Sequence, residues 1–254
     1  MKKLLKYEFF YYKKTSKFIV FGAIFVLFSI ISPLTAKYIQ ELISFLLNGE
    51  SIPIDIPEPT VYTAYQQYVS DLYEIIFIVT LFVGVSIFIR DKTKNLLPLI
   101  FSKPINRTKY IISKYISFLT LILASLTLGY LAFSYYTYFL FDDVFFVKGI
   151  WMMLLYFLDI MFVSAIALFS ATHFRTYIPA MLVTWGIYIV SGLVTIFEKV
   201  PVLKHFPGMI KSNIVSVIMD TTTSSDIVWN IVVTLGLIGL LIWFSIRKIK
   251  NQDI

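Results

Sequence analysis

The chain has 254 residues, of which 58% are hydrophobic and only 15% charged, with a net charge of +7 and no cysteine. A soluble domain carries about 25% charged residues, so this composition points to a membrane protein. It also excludes disulfides, thiolate nucleophiles and Cys-type zinc or iron–sulfur sites.

Residues 1–17, MKKLLKYEFFYYKKTSK, combine Leu4, Leu5, Phe9 and Tyr12 with Lys6, Lys13 and Lys14. At helical spacing the apolar residues gather on one side, which predicts an interfacial helix; a basic flank anchoring the first span is the plainer reading. The apolar stretch after Lys17 is long enough to span and has no small-x-small cleavage pattern, so it reads as a retained helix. About 20 apolar residues cross a bilayer, and six segments qualify: 18–36, 72–89, 115–140, 149–171, 177–197 and 227–246. The third is long enough to imply tilt or extension. Glu74 and Arg90 flank the second span and are expected to snorkel to water. Six spans place both termini on one side. That side, with 1–17, 90–114, 172–176 and 247–254, holds 17 of the 22 Lys and Arg residues. By the positive-inside rule it is cytoplasmic, and the excess charge follows from topology, with no call for nucleic acid. The expected fold is an all-α single transmembrane domain over 1–254.

On the opposite side, loop 37–71 starts with an amphipathic helical pattern and is then broken by prolines in SIPIDIPEPT. Loop 198–226 is unusually apolar, with Pro201, Pro207 and Gly208 dividing short apolar pieces. It fits either re-entrant half-helices, tolerated at membrane depth only against protein or a cavity, or an amphipathic surface hairpin.

The sequence contains no phosphate-binding G-x-x-x-x-G-K-[ST] pattern and no G-x-S-x-G or H-E-x-x-H. His173 and His205 fall in loops on opposite faces, so no metal site and no catalytic dyad is expected, and the chain does not read as an enzyme. Asp159 is the one acid deep inside a span. It is open to two readings: a cation, proton or polar-substrate site, or a hydrogen-bonded packing residue, the absence of an intramembrane Lys or Arg favouring the second. Ser164, Ala165, Ala167, Ser170 and Ala171 provide a small-residue face for close helix packing, within the chain or in a dimer.

Between the second and third spans lies DKTKNLLPLIFSKPINRTKYIISK. Pro98 suits a first helical turn and Pro104 disfavours helix at Lys103. The helix between them, with Leu96, Leu97, Leu99, Ile100 and Phe101, is too short to be stable alone. Either the bilayer surface or a partner must cover it.

This stretch resembles the signature of permease subunits of bacterial ATP-binding-cassette exporters of the second type. The resemblance rests on Ser102-Lys103-Pro104-Ile105-Asn106-Arg107 and Lys114, with Asp91 near the family's acidic position. Asn106 replaces the usual Ser or Thr, and Asn95-Leu96 stand where Gly-Thr is common. Length, six spans, internal termini and the KLLKYEFF start fit as well. The resemblance implies that 96–103 is a coupling helix docking on a separate ATPase. Leu96, Leu97, Leu99, Ile100, Phe101 and Lys103 would make the contact, with Arg107 and Lys109 meeting acidic ATPase surface. ATP and Mg would be bound by two ATPase copies, and this chain would hold no cofactor. A second permease chain, identical or related, would complete the path in the bacterial cell membrane. The aromatic interior favours an amphipathic or hydrophobic substrate, first of all a peptide toxin or peptide antibiotic, exported or kept out for self-protection and resistance. Two other classes remain: a non-transporting sensor or scaffold, and an ion-coupled secondary transporter using Asp159.

Overall fold

The structure, a computed structural model, describes residues 1–46, 58–197, 205–219 and 224–251. Most of the proline-rich break in loop 37–71, together with Pro201, lies outside the described residues. Among them every regular element is helical. Five helices are long and apolar enough to cross a membrane: Lys17–Ile43, Val61–Thr93, Arg107–Phe141, Phe146–His173 and Ser225–Lys250. A further apolar helix, Tyr177–Leu193, has 17 residues and is therefore about 25 Å long, short of the roughly 30 Å hydrocarbon core. One 3-10 turn, Val194–Phe197, continues it, so the expected span over 177–197 is a short α-helix with a tightened end.

The chain begins with α1 (Lys2–Lys14) and turns at Ser16, whose φ is 52°, into α2 (Lys17–Leu46). Pro33 lies inside α2 and the helix kinks at Tyr38, beyond the predicted span end at 36. Much of the expected external loop is thus helix. Its far side is α3 (Val61–Asp71), which opens with reciprocal Thr60 and Thr63 capping bonds. A π-helical turn, Leu72–Ile76, joins α3 to α4 (Phe77–Thr93). Such turns insert an extra residue and misalign backbone partners; here the Tyr156 hydroxyl donates to the Leu72 carbonyl at 2.9 Å.

The short α5 (Leu97–Phe101) precedes α6 (Arg107–Phe141), whose 35 residues make it about 52 Å long. The extra length over the predicted span lies mainly at its N-terminal end. After it come α7 (Phe146–His173) and α8 (Tyr177–Leu193). A 3-10 turn at Pro207–Met209 leads into α9 (Ile210–Ile218), and α10 (Ser224–Lys250) ends the fold.

At the centre stands α7, in contact with α4, α6, α8, α9 and α10. In its most apolar stretch 72% of residues are buried, against 28% for α2 and 17% for α10, which leaves those two helices with wide apolar faces toward lipid or another chain. Ser164, Ala165, Ala167, Ser170 and Ala171 are all buried, so the small-residue face serves packing within the chain. On the other flank α2 packs along α6 and α3.

Within 198–226, α9 buries Ile210, Ile214 and Ile218, one residue per turn, and packs on α7. Gly208 lets this segment approach α8: a Cβ there would collide with the Ser191 carbonyl oxygen. Pro207 and Gly208 share a cavity with Asp159, which is 13 residues from Phe146 and 14 from His173 along α7. The segment therefore folds back alongside the middle of α7.

Candidate functional site

Two places combine cavities with unusual polar chemistry. One is the connection from α4 to α6, together with α1 and the end of α10. The other surrounds Asp159.

The connection starts with a tight helix stop. Asn95 adopts a left-handed φ of 50°, its N–H donates to the Lys92 carbonyl at 3.1 Å, and Leu96 N–H reaches the Asp91 carbonyl at 2.8 Å. This is a Schellman ending, which favours Gly or Asn at the left-handed position. Asn95 thus takes a geometry that glycine adopts without steric penalty. Asn106 plays a similar local part: its side-chain oxygen accepts from Thr108 N–H at 2.8 Å and Lys109 N–H at 3.3 Å, capping α6. Asn, Ser and Thr are alternative solutions at a cap.

The eight residues predicted to couple to a partner divide between two directions. Leu99 is 67% exposed. It shares a 660 Å³ groove between α1, α5 and α6 with Leu96, Ile100, Lys103 and Lys109. Leu97, in contrast, is 8% exposed and belongs to the core. Phe101 packs edge-on against Tyr110 at 5.3 Å, and the Arg107 guanidinium lies 5.3 Å from the Phe101 ring. Arg107 also donates to the Ile249 and Lys250 carbonyls at 2.9 and 3.0 Å. It therefore caps the C-terminal end of α10, where a cation opposes the helix dipole. Lys92 does the same for α7, donating to the Thr172 and Phe174 carbonyls.

Beneath the groove lies a buried charge cluster joining α1, α4 and α6. Arg90 donates to Glu8 at 3.0 Å and to Asp91 at 2.7 Å; Lys114 lies 2.8 Å from the other Asp91 oxygen. The Tyr110 hydroxyl donates to that oxygen at 2.6 Å, and the guanidinium sits 3.9 Å from the Tyr11 ring. Arg90 is only 5% exposed and Asp91 and Lys114 1% each. The expectation that Arg90 snorkels to water is therefore corrected: two carboxylates hold it inside, while Glu74 remains exposed. Two cations and two anions make the cluster formally neutral. Burial of single ions costs several kcal/mol each unless they are paired, which is why these four come together. Tyr12 completes the seat of α1 through a 3.1 Å hydrogen bond with Ser117. Burial pushes its phenol up, opposed by that bond, so it stays neutral.

The cluster escaped sequence reading because its members come from three elements, with 82 positions between Glu8 and Arg90. One local signal was present: Glu8 is the lone acid in the basic segment 1–17, and it faces inward on the stripe Leu4–Glu8–Tyr12.

Asp159 is 3% exposed and lines a 750 Å³ cavity with Tyr188, Ile189, Pro207, Met209, Lys211 and Val215 among its walls. Tyr73, supplied by the π turn, has a buried hydroxyl without a hydrogen-bond partner. The face of its ring carries the Lys211 ammonium at 5.1 Å. Tyr156 packs edge-on to Tyr73 at 5.2 Å, and Phe77 lies 4.5 Å from Tyr188. Among the described residues no cation comes within ion-pair distance of Asp159. Sequence reading found no cationic residue available to this acid because Lys211 was assigned to an external loop. The fold-back of α9 brings it into the same cavity.

Compared with known proteins, the chain matches no family model, no curated protein and no solved structure.

Proposed function

We propose that the chain is the membrane-spanning permease subunit of an ATP-driven exporter, of the second type that its 91–114 stretch resembles. In this reading α8 with its 3-10 extension is a sixth span, both termini are cytoplasmic, and the chain sits in a bacterial cell membrane. Two such chains, or this one with a related chain, form the path, and two separate ATPase subunits bind ATP and Mg and drive it. The observation that carries the reading is the construction around α5. A five-residue helix has little stability of its own, yet here it is fixed by Leu97 in the core and by the α4 helix stop at Asn95, after which the Leu96 N–H bonds back to the Asp91 carbonyl. Its exposed Leu99 and half-buried Ile100 border an open groove flanked by Lys103 and Lys109. That arrangement offers an apolar knob with a basic rim to a partner that has an apolar pocket and acidic surroundings.

In this mechanism ATP-driven closure of the partner pair pushes on α5. The push passes through the charge cluster to α1, α4 and α6 together, because Arg90, Asp91, Glu8 and Lys114 fasten these helices to one another. To reverse a two-state access equilibrium from 1:99 to 99:1 the drive must favour one state by about 5.5 kcal/mol. A rigid cluster suits such transmission better than a solvated loop.

Gentle purification of the tagged chain from its native host tests the reading. An ATP-binding-cassette subunit should co-purify in stoichiometric amount, with ATPase activity, and both should be lost in Leu99→Asp with Ile100→Asp while membrane insertion persists. Leu97 is left intact in this test, since its burial would turn a charge into a folding defect. An ATPase-free preparation would sink the exporter reading. One observation favours an ion-coupled transporter instead: the unpaired Asp159 carboxyl in its cavity. That alternative requires transport without ATP that is lost in Asp159→Asn.

A further inference from the structure

The Asp159 cavity contains an imbalance that the permease reading leaves unexplained. A carboxyl at the midpoint of the most buried helix has no cation within ion-pair distance among the described residues. Among the described residues the other buried acids each have a charged or hydrogen-bonding partner, although Glu8 uses only one oxygen and its Oε2 is left without one. Asp91 and Glu8 are ion-paired, and Asp71 accepts from Ser32 at 2.6 Å and from Gln67 at 3.0 Å. Around Asp159 stand three tyrosines instead. Tyr73 has a buried hydroxyl without a hydrogen-bond partner, Tyr156 packs edge-on against the Tyr73 ring, and Tyr188 lines the cavity itself. Tyrosine ring faces attract cations through their quadrupole. The molecule itself illustrates this, since the Lys211 ammonium rests on the Tyr73 ring at 5.1 Å. The remaining wall is apolar, with Ile189, Met209 and Val215.

We propose that this cavity is a binding site for an amphipathic molecule bearing an ammonium or other lipophilic cation. The cationic head enters between the Asp159 carboxylate and the Tyr73 and Tyr188 rings, and the apolar body lies along Ile189, Met209 and Val215. The Lys211 ammonium lies on the ring face that the ligand head would take, and it swings out when ligand enters. This assignment rests on the exporter reading for its physiological meaning, as it narrows the substrate to cationic amphiphiles such as lysine-bearing peptides. The binding chemistry itself needs no ATPase. An anionic ligand is disfavoured because Lys211 is exposed and already has an aromatic partner, whereas the carboxylate is the group left uncompensated in a medium where ion pairing is strong.

The test uses the full chain in lipid nanodiscs without any ATPase, with equilibrium binding of radiolabelled tetraphenylphosphonium and of tetraphenylborate, an anion of the same shape. Partition into empty nanodiscs is subtracted, and saturable binding is read from displacement by unlabelled ion. The cation should bind saturably, one per chain, and the anion should not. Asp159→Asn should weaken cation binding at least tenfold with the elution profile of the intact protein preserved. Lys211→Gln, an exposed position where folding is undisturbed, should tighten it severalfold by removing the internal competitor. Equal saturable binding of both ions, no saturable cation binding, or unchanged affinity in Asp159→Asn would overturn the assignment, as would weaker binding in Lys211→Gln. Failure here would leave the co-purification test of the exporter reading untouched, and failure there would leave this site standing as a cation site without an ATP-driven partner.

Discussion

Asp91 and Asp159 are both nearly inaccessible aspartates on membrane helices, yet their surroundings are opposite. Asp91 accepts from Arg90 and Tyr110 and lies against Lys114, so its charge is matched and its position fixed. Asp159 has aromatic rings, a cavity, and a lysine that shares the cavity without pairing with it. A matched cluster holds elements together; an unpaired carboxyl beside open space leaves room for a group from outside the chain, which is the role proposed for Asp159.

The largest expected effect breaks the matched side. Arg90→Ala would strand Glu8 and leave Asp91 short of one partner, and removing one member of a buried ion pair costs about 3–5 kcal/mol. Unfolding of the detergent-solubilised protein should register this as a large loss of stability, and Asp91→Asn should behave similarly because Lys114 is left behind. Glu8→Gln combined with Arg90→Gln should lose less than the sum of the single changes, the mark of direct coupling.

A second effect concerns the wall of the open cavity. Gly208→Leu places a side chain where even a Cβ collides with the Ser191 carbonyl oxygen. It should push the α9 segment away from α8, with a loss of roughly 1–3 kcal/mol typical of overpacking. Cysteine accessibility at Ser212, compared in the presence and absence of Gly208→Leu, would report the displacement. Smaller still is the capping effect at the α5 connection. Asn106→Ala removes two acceptor contacts to α6 and should cost about 1 kcal/mol, whereas Asn95→Gly should be neutral or slightly stabilising, because the left-handed φ suits glycine best. Asn95→Val at the same site should destabilise, a β-branched residue being poorly tolerated there.

How much of this was legible in the sequence depends on how local each cause is. The apolar runs, the first-turn place of Pro98 and the helix stop before Pro104 are local, and the structure follows them, with α5 closing at Phe101. The amphipathic pattern after residue 36 is local too, and α2 runs on through it to Leu46; the start of α3 at Val61 is not, since segments such as Tyr-Gln-Gln-Tyr are too polar to mark a span, and buried Tyr65 and Tyr68 show that tertiary packing decides there. Tyr68 stacks on Phe133 at 4.2 Å. The charge cluster and the approach of Lys211 to Asp159 depend on which elements meet, and no residue spacing carries that information. Arg90 departs from the snorkelling expectation for this reason: a cation past the end of an apolar run reaches water by default, unless a carboxylate from another helix reaches it first.

If the Asp91 cluster holds the fold and the Asp159 cavity takes a cationic ligand, the two aspartates should respond differently to heat and to cation. Thermal unfolding of the wild type, Asp91→Asn and Asp159→Asn, each with and without tetraphenylphosphonium, tests both halves in one experiment. The melting temperature should fall far below wild type for Asp91→Asn and still be raised by the cation, and should be near-normal for Asp159→Asn and unchanged by the cation. A severe loss of stability in Asp159→Asn, or a cation-induced rise that survives in that variant, would contradict this division of roles.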